Sequence, residues 1–117
     1  MIANTLPISK EILQNRAFFR IKKRKIPLED IVLLEADINY THVHLINGGR
    51  IIVTQTLKNF ETLLCDQQFI RVHKGYIINR QHVSTYDLRK KCVFLTNNLM
   101  ACVSRRKRAE FVGRLIR

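Results

Sequence analysis

Apolar and polar positions alternate in short runs from Phe18 onward, the period of half-buried strands. Phe19 and Ile21 face one way, Arg20 and Lys22 the other. Residues 31–37, Ile-Val-Leu-Leu-Glu-Ala-Asp, open on a continuous apolar run that predicts a buried strand. Alternation resumes with Thr41, Val43 and Leu45 on one face against Tyr40, His42 and His44 on the other. Asn47-Gly48-Gly49 tolerates positive φ and predicts a hairpin into a strand at 50–55. Residues 23–30 read as a turn, because Pro27 cannot donate to a ladder. The period then changes. Leu57, Phe60, Leu63 and Leu64 share one helical face, with Thr56 placed to cap it, so a helix is expected at about 56–65.

Extended segments follow at 69–79, 82–87, 92–96 and 99–104. A two-residue turn at Asn97-Asn98 is expected to join the last two, which are apolar on both faces and so predicted to be covered on both. That turn sets Cys102 opposite Val93, so Cys92 and Cys102 point to opposite faces and are not expected to bridge. The tail predicts a second helix at about 104–116, with Ser104 as cap and Phe111, Val112, Leu115 and Ile116 as its apolar stripe. Residues 1–17 read as an N-terminal leader in which Ile8, Ile12 and Leu13 suggest one amphipathic turn of helix; residues 18–117 read as one domain. The fold class expected is mostly β: packed sheets of short strands, one clear helix and a second at the C-terminal end.

One segment resists a plain core reading. Phe69 to Asn79, FIRVHKGYIIN, is apolar enough for a buried strand, yet Arg71, His73 and Lys74 crowd its middle. In a strand, Ile70 and Val72 share one face and Arg71 and His73 the other. Gly75 permits a bend, and Tyr76-Ile77-Ile78 returns to the core. The cations are then presented at a strand end or loop. That placement serves either anion binding or the blocking of edge pairing, and spacing alone does not choose between them.

Charge shifts the balance. Twenty-one Lys and Arg against nine Asp and Glu give a net charge of +12. A sign that lopsided argues for an anionic partner, nucleic acid or an anionic membrane surface. No apolar run approaches the roughly 18 residues of a membrane span, and the N-terminus lacks the pattern of a secretory signal. The odd count of three cysteines, Cys65, Cys92 and Cys102, with no C-x-x-C, indicates neither a disulfide framework nor a zinc ribbon. They read as small buried hydrophobes in a reducing cytoplasm.

No catalytic constellation stands out, so no enzyme activity and no cofactor are expected. His42 and His44 share a strand face, but no third ligand at a useful spacing completes a metal site. The second basic cluster is Arg105, Arg106, Lys107 and Arg108, at the start of the predicted tail helix. A helix N-terminus carries roughly half a positive charge, so cations there repel it unless an anion such as a phosphate sits nearby. A later helix start would leave them as a solvated arm. A third polar group, Asn39, Tyr40, Thr41 and His42, lies at a loop-to-strand junction; Asn can read an adenine edge, and Thr or Tyr can bond phosphate.

These segments, in this order, resemble the LytTR DNA-binding domain family: IVLLEADINYTHVHL, TLKNFETLL, FIRVHKGYIIN and VSRRKRAEF, over about Phe18 to Phe111. Phe69, Arg71, His73, Tyr76 and Asn79 at their spacing are the most telling part. The resemblance implies a mostly β fold, not a helix-turn-helix, and bacterial transcription regulation in two-component signalling. It implies double-stranded DNA as partner, read by loops that enter successive major grooves. Carried over by position, the loops are Asn39 to Thr41, then His73 and Lys74, then Arg105 and its neighbours. Lys74, Arg105, His73 and Asn39 are the base-contact candidates; Tyr40, Thr41, Arg71, Arg106, Lys107 and Arg108 are the phosphate-contact candidates.

Two departures from the family pattern stand out. Lys74-Gly75 replaces a frequent Arg-Ser, and lysine lacks the bidentate fork of arginine. The seventeen residues ahead of the domain cannot hold a receiver, so the chain is either an excised fragment or a single-domain regulator with its input from elsewhere. A homodimer on repeated half-sites and an upstream signalling protein are the further partners to test. Two rival readings are a small basic β domain that binds RNA and a protein-interaction module of a signalling system. Single-stranded RNA readers expose stacking aromatics, whereas this chain has no Trp and its Phe residues fall mostly at core-like positions.

Overall fold

The computed structural model describes residues 8–64 and 68–115. Two three-stranded antiparallel sheets pack against a central five-stranded antiparallel sheet. The first sheet joins β1 (Ser9–Leu13), β2 (Arg16–Ile21) and β3 (Arg24–Pro27) in that order. The central sheet is built from β4 (Ile31–Asp37), β5 (Tyr40–Leu45), β6 (Arg50–Val53), β7 (Phe69–His73) and β8 (Tyr76–Asn79), in the order β6-β5-β4-β8-β7. The third joins β9 (Val83–Asp87), β10 (Cys92–Leu95) and β11 (Leu99–Cys102), in the order β11-β10-β9. Helix α1 (Leu57–Leu63) precedes β7, and α2 (Arg108–Leu115) closes the described chain. The mostly β expectation with two helices holds. No helix among the described residues is long and apolar enough to cross a membrane.

The central sheet is covered on both faces, which is why its strands read as apolar runs. One face packs Leu34, Val43, Ile51, Val53 and Ile77 against Phe19 and Ile21 of β2 and Leu57 and Phe60 of α1. Phe19 meets Phe60 edge-on, with ring centroids 5.6 Å apart. The other face packs Leu33, Ile70, Val72 and Ile78 against Val93, Leu95 and Ala101 of the third sheet and Phe111 of α2. The register shifts between Ile31 and Leu33, so Val32 is an extra residue against β5. That bulge lets the consecutive residues Val32 and Leu33 serve the same core, with Ile31 and Leu34 in the other.

Several local expectations are corrected. The leader segment Ser9–Leu13 is an extended strand paired with β2, not a helical turn. The turn expected across 23–30 is split in two: Lys22 and Lys23, both at positive φ, reverse the chain into β3 at Arg24–Pro27, and Leu28–Asp30 forms a 3-10 turn ahead of β4. Three residues, Thr96–Asn98, separate β10 from β11, with Asn97 and Asn98 at φ of 65° and 61°. The extra residue shifts the register by one, so Cys92 faces Cys102 directly and both thiols share a face. Both are free; burial raises the Cys92 pKa first, with a hydrogen bond to Cys102 adding to it. The same register puts Val93, Leu95 and Ala101 together on a buried face; on the other face Cys92 is buried but Met100 and Cys102 are exposed, so the cover there is partial. Finally, the tail begins with a 3-10 turn at Arg105–Lys107, and Ser104 makes no side-chain cap. Cys65 lies outside the described residues.

Candidate nucleic-acid interface

Phe69–Asn79 folds as a hairpin, with His73 paired to Tyr76 across a tip made of Lys74 and Gly75. Ile70, Val72, Ile77 and Ile78 are buried, and Lys74 is exposed. The segment therefore keeps its aliphatics in both cores while its cationic middle becomes a turn. Gly48 is the only described glycine at positive φ, so the bend at Gly75 does not depend on glycine's conformational freedom. A Cβ there would sit 3.4 Å from His73 Nδ1, an ordinary contact. What Gly75 supplies is its N–H, which donates to His73 Nδ1 at 3.0 Å. With Nδ1 accepting, the neutral ring carries its proton on Nε2, which is left as a donor.

Arg71 is engaged internally. It is paired through β7 with Ile77, on the face that carries α1. Its Nε donates to the His73 carbonyl at 2.8 Å and one terminal nitrogen to the Lys74 carbonyl at 2.6 Å. The other terminal nitrogen meets Glu61 Oε1 of α1 at 2.9 Å. The His73 and Lys74 carbonyls are thus tied to one guanidinium, which is itself tied to a helix. The phosphate-contact expectation for Arg71 does not fit these bonds. Glu61, absent from the sequence reading, is the residue that reasoning missed; no local pattern pairs it with Arg71 ten positions away.

The third segment is pinned to the second. Ser104 N–H donates to the Val72 carbonyl at 2.7 Å, fixing the start of the Arg105–Lys107 turn beside β7. Glu61, Arg71, His73, Lys74 and residues 104–107 line one cleft of about 520 Å³. Arg105 and Arg106 are exposed, and Lys107 and Arg108 are half-buried. Arg108 Nε is buried with no hydrogen-bond partner among the described residues.

The first segment lies at the same end of the sheet. Strands β4 and β5 are joined by Ile38 and Asn39, with Asp37 opposite Tyr40. Ala36 N–H donates to the Gly75 carbonyl at 2.9 Å, so this hairpin tip neighbours the Lys74-Gly75 tip. Asn39 and Tyr40 are exposed. Thr41 is not: it is fully buried, and its hydroxyl donates to the Gln55 carbonyl at 2.6 Å, which corrects its phosphate-contact assignment. Tyr40 instead borders a second cleft with Lys22, Arg24, His42 and Arg50. His42 and His44 do share a face, with rings stacked at 6.2 Å. Each bonds a β4 carboxylate at 2.9 Å, His42 to Asp37 and His44 to Glu35, partners that local spacing did not reveal.

The family model described as LytTr DNA-binding domain matches residues 22–116. Among solved structures, the chain is similar to one described as the LytTr DNA-binding domain of a methyl-accepting/DNA response regulator from Bacillus cereus. That match has 22% identity and a TM-score of 0.70, and covers 92% of this chain and 95% of the other. At that identity the likeness establishes the fold. No curated protein matches.

Proposed function

The chain belongs to the LytTr DNA-binding domain family, and from that membership we propose that it binds double-stranded DNA with sequence specificity, as the DNA-binding part of a bacterial transcription regulator. The observation that carries this reading is the gathering of three segments at one end of the central sheet: the Ile38-Asn39 tip, the Lys74-Gly75 tip and the Arg105–Lys107 turn. Backbone hydrogen bonds of 2.9 Å and 2.7 Å join the neighbours, so a rigid duplex meets them together. Lys74 and Arg105 contact bases, with His73 assisting through Nε2 and Asn39 contributing more weakly. Tyr40, Arg106, Lys107 and Arg108 hold phosphates. The binding unit is taken as residues 18–117, in the cytoplasm, with no catalytic step and no cofactor. A homodimer on repeated half-sites and an upstream signalling protein complete the proposed partners.

Selecting bound duplexes from a random pool gives the cognate site. On it, Arg105→Ala should lower the ratio of cognate to random affinity by about 5- to 150-fold, the size of one base contact. An unchanged ratio removes Arg105 from base reading. Competing RNA should displace the duplex poorly; an RNA that wins favours the RNA-binding alternative.

Arg71 and Glu61 act in this reading as a brace for the hairpin tip rather than as contacts. Coulomb attraction alone predicts that Glu61→Gln tightens binding, because it removes a negative charge beside the polyanion. The brace predicts the reverse sign: about a two- to fivefold loss, the scale of a partly exposed ion pair. Arg71→Ala releases two carbonyls as well and should cost about tenfold or more. In the double variant the losses should not add. Titrations by fluorescence anisotropy decide the sign.

A further inference from the structure

We propose that Ile38 reads the 5-methyl group of a thymine in the major groove. This rests on the duplex-binding reading above and adds an apolar contact to a surface otherwise read through polar and cationic groups.

Ile38 is 92% exposed, more than any other large apolar residue described. It sits at the first position of the two-residue turn between Asp37 and Tyr40, with φ of +56°. The other described non-glycine residues at positive φ are Gln14, Asn15, Lys22, Lys23, Lys91, Asn97 and Asn98, all with unbranched Cβ and polar ends. A β-branched side chain is the worst suited to that region, because Cβ crowds the following carbonyl. Glycine or asparagine would make the same hairpin without strain. The fold therefore gains nothing from isoleucine here, neither packing nor turn geometry.

The surroundings narrow what it could meet. The tip adjoins Lys74-Gly75 through the 2.9 Å bond from Ala36 to Gly75, and Lys74 shares its cleft with Arg105, Arg106 and Lys107. On a surface that attracts phosphates, an aliphatic tip has no partner in the sugar–phosphate backbone that charge would select. The major-groove edge of a base pair offers one distinctive apolar group, the thymine methyl, and small aliphatic contacts to it are a recurrent mode of base reading. Asn39, next in the chain, can accept from and donate to an adenine edge, so the pair of residues suits an A·T step.

The test uses the cognate duplex obtained by selection. Each thymine is replaced in turn by deoxyuridine, which deletes only the methyl. The expected result is one position where the wild-type chain loses about three- to tenfold in affinity, and where Ile38→Gly has lost that sensitivity while still preferring cognate over random duplex. Urea unfolding of Ile38→Gly should show stability no lower than wild type, because the strained turn is relieved, which separates the effect from misfolding. If no thymine behaves differently for wild type and Ile38→Gly, the inference is overturned while the duplex reading stands. A change in sedimentation on Ile38→Gly without methyl sensitivity overturns it in favour of a contact with a second copy of the chain. A pool that yields no preferred duplex removes the reading beneath it and the inference together.

Discussion

Raising salt from about 50 mM to about 200 mM should weaken duplex binding roughly 500-fold. The expectation comes from counting cations at one end of the sheet. Lys74, Arg105, Arg106, Lys107 and Arg108 lie on the Lys74 tip, the adjoining 3-10 turn and the first residue of α2. Each of the five displaces a counterion from the duplex, the base-reading Lys74 and Arg105 along with the phosphate-holding Arg106, Lys107 and Arg108, which gives a slope of about −4.5 in log affinity against log salt. The net charge of +12 adds long-range attraction of the same sign. Lys107→Ala should reduce the slope by about one while leaving the preference among sequences intact, the signature of a phosphate contact. Arg105→Ala should change both. A flat plot would exclude a phosphate-led interface and favour the protein-interaction module.

The second large effect is expected in stability. Asn79 is fully buried, one of two buried polar residues described. Its amide donates to the Ile31 carbonyl at 2.8 Å and, more distantly, to Leu28 at 3.4 Å. Its side-chain oxygen accepts from Gln81 N–H at 3.0 Å. One side chain thus joins the entry to β4 with the exit from β8, across residues nearly fifty apart in sequence. Asn79→Leu strands those groups without water and should cost about 2–4 kcal/mol, read as a lower urea midpoint with an unchanged m-value. Asn79→Asp should be worse at neutral pH, since a carboxylate then faces two carbonyl oxygens. Binding of the cognate duplex should recover part of either loss, because only the folded chain binds.

The helix at Leu57–Leu63 was legible because its apolar spacing and its Thr56 cap agree: Thr56 Oγ1 accepts from Asn59 N–H at 3.4 Å. The Asn47–Gly49 hairpin was legible because Gly48 needs its φ of 90°. The alternation of Thr41, Val43 and Leu45 against Tyr40, His42 and His44 matches the burial of β5. What escaped had no local signature. Lysine carries no turn signal, so Lys22-Lys23 hid a hairpin whose strands are specified by Phe19, Ile21 and Ile26 in the core. One residue in the length of a turn inverted the register at Cys92 and Cys102. At the site, the residue types were readable but not their partners. Thr41 and Arg71 look like ligands of phosphate until Gln55, Glu61 and two backbone carbonyls claim them. Such long-range bonds depend on how the layers stack, which a single strand's pattern does not encode.

Two of the three segments proposed to meet DNA are tight tips on hairpins of the same sheet, and that has a cost for the partner. Their separation is set by strand pitch: two spacings of about 4.8 Å, near 10 Å in all. The sandwich of cores on both faces keeps that ruler stiff. Any misfit between it and groove geometry must then be taken up by flexure of the duplex, whose elastic price varies from step to step. Base pairs that nothing on this protein touches, above all pyrimidine–purine steps, acquire a vote in which promoters are occupied.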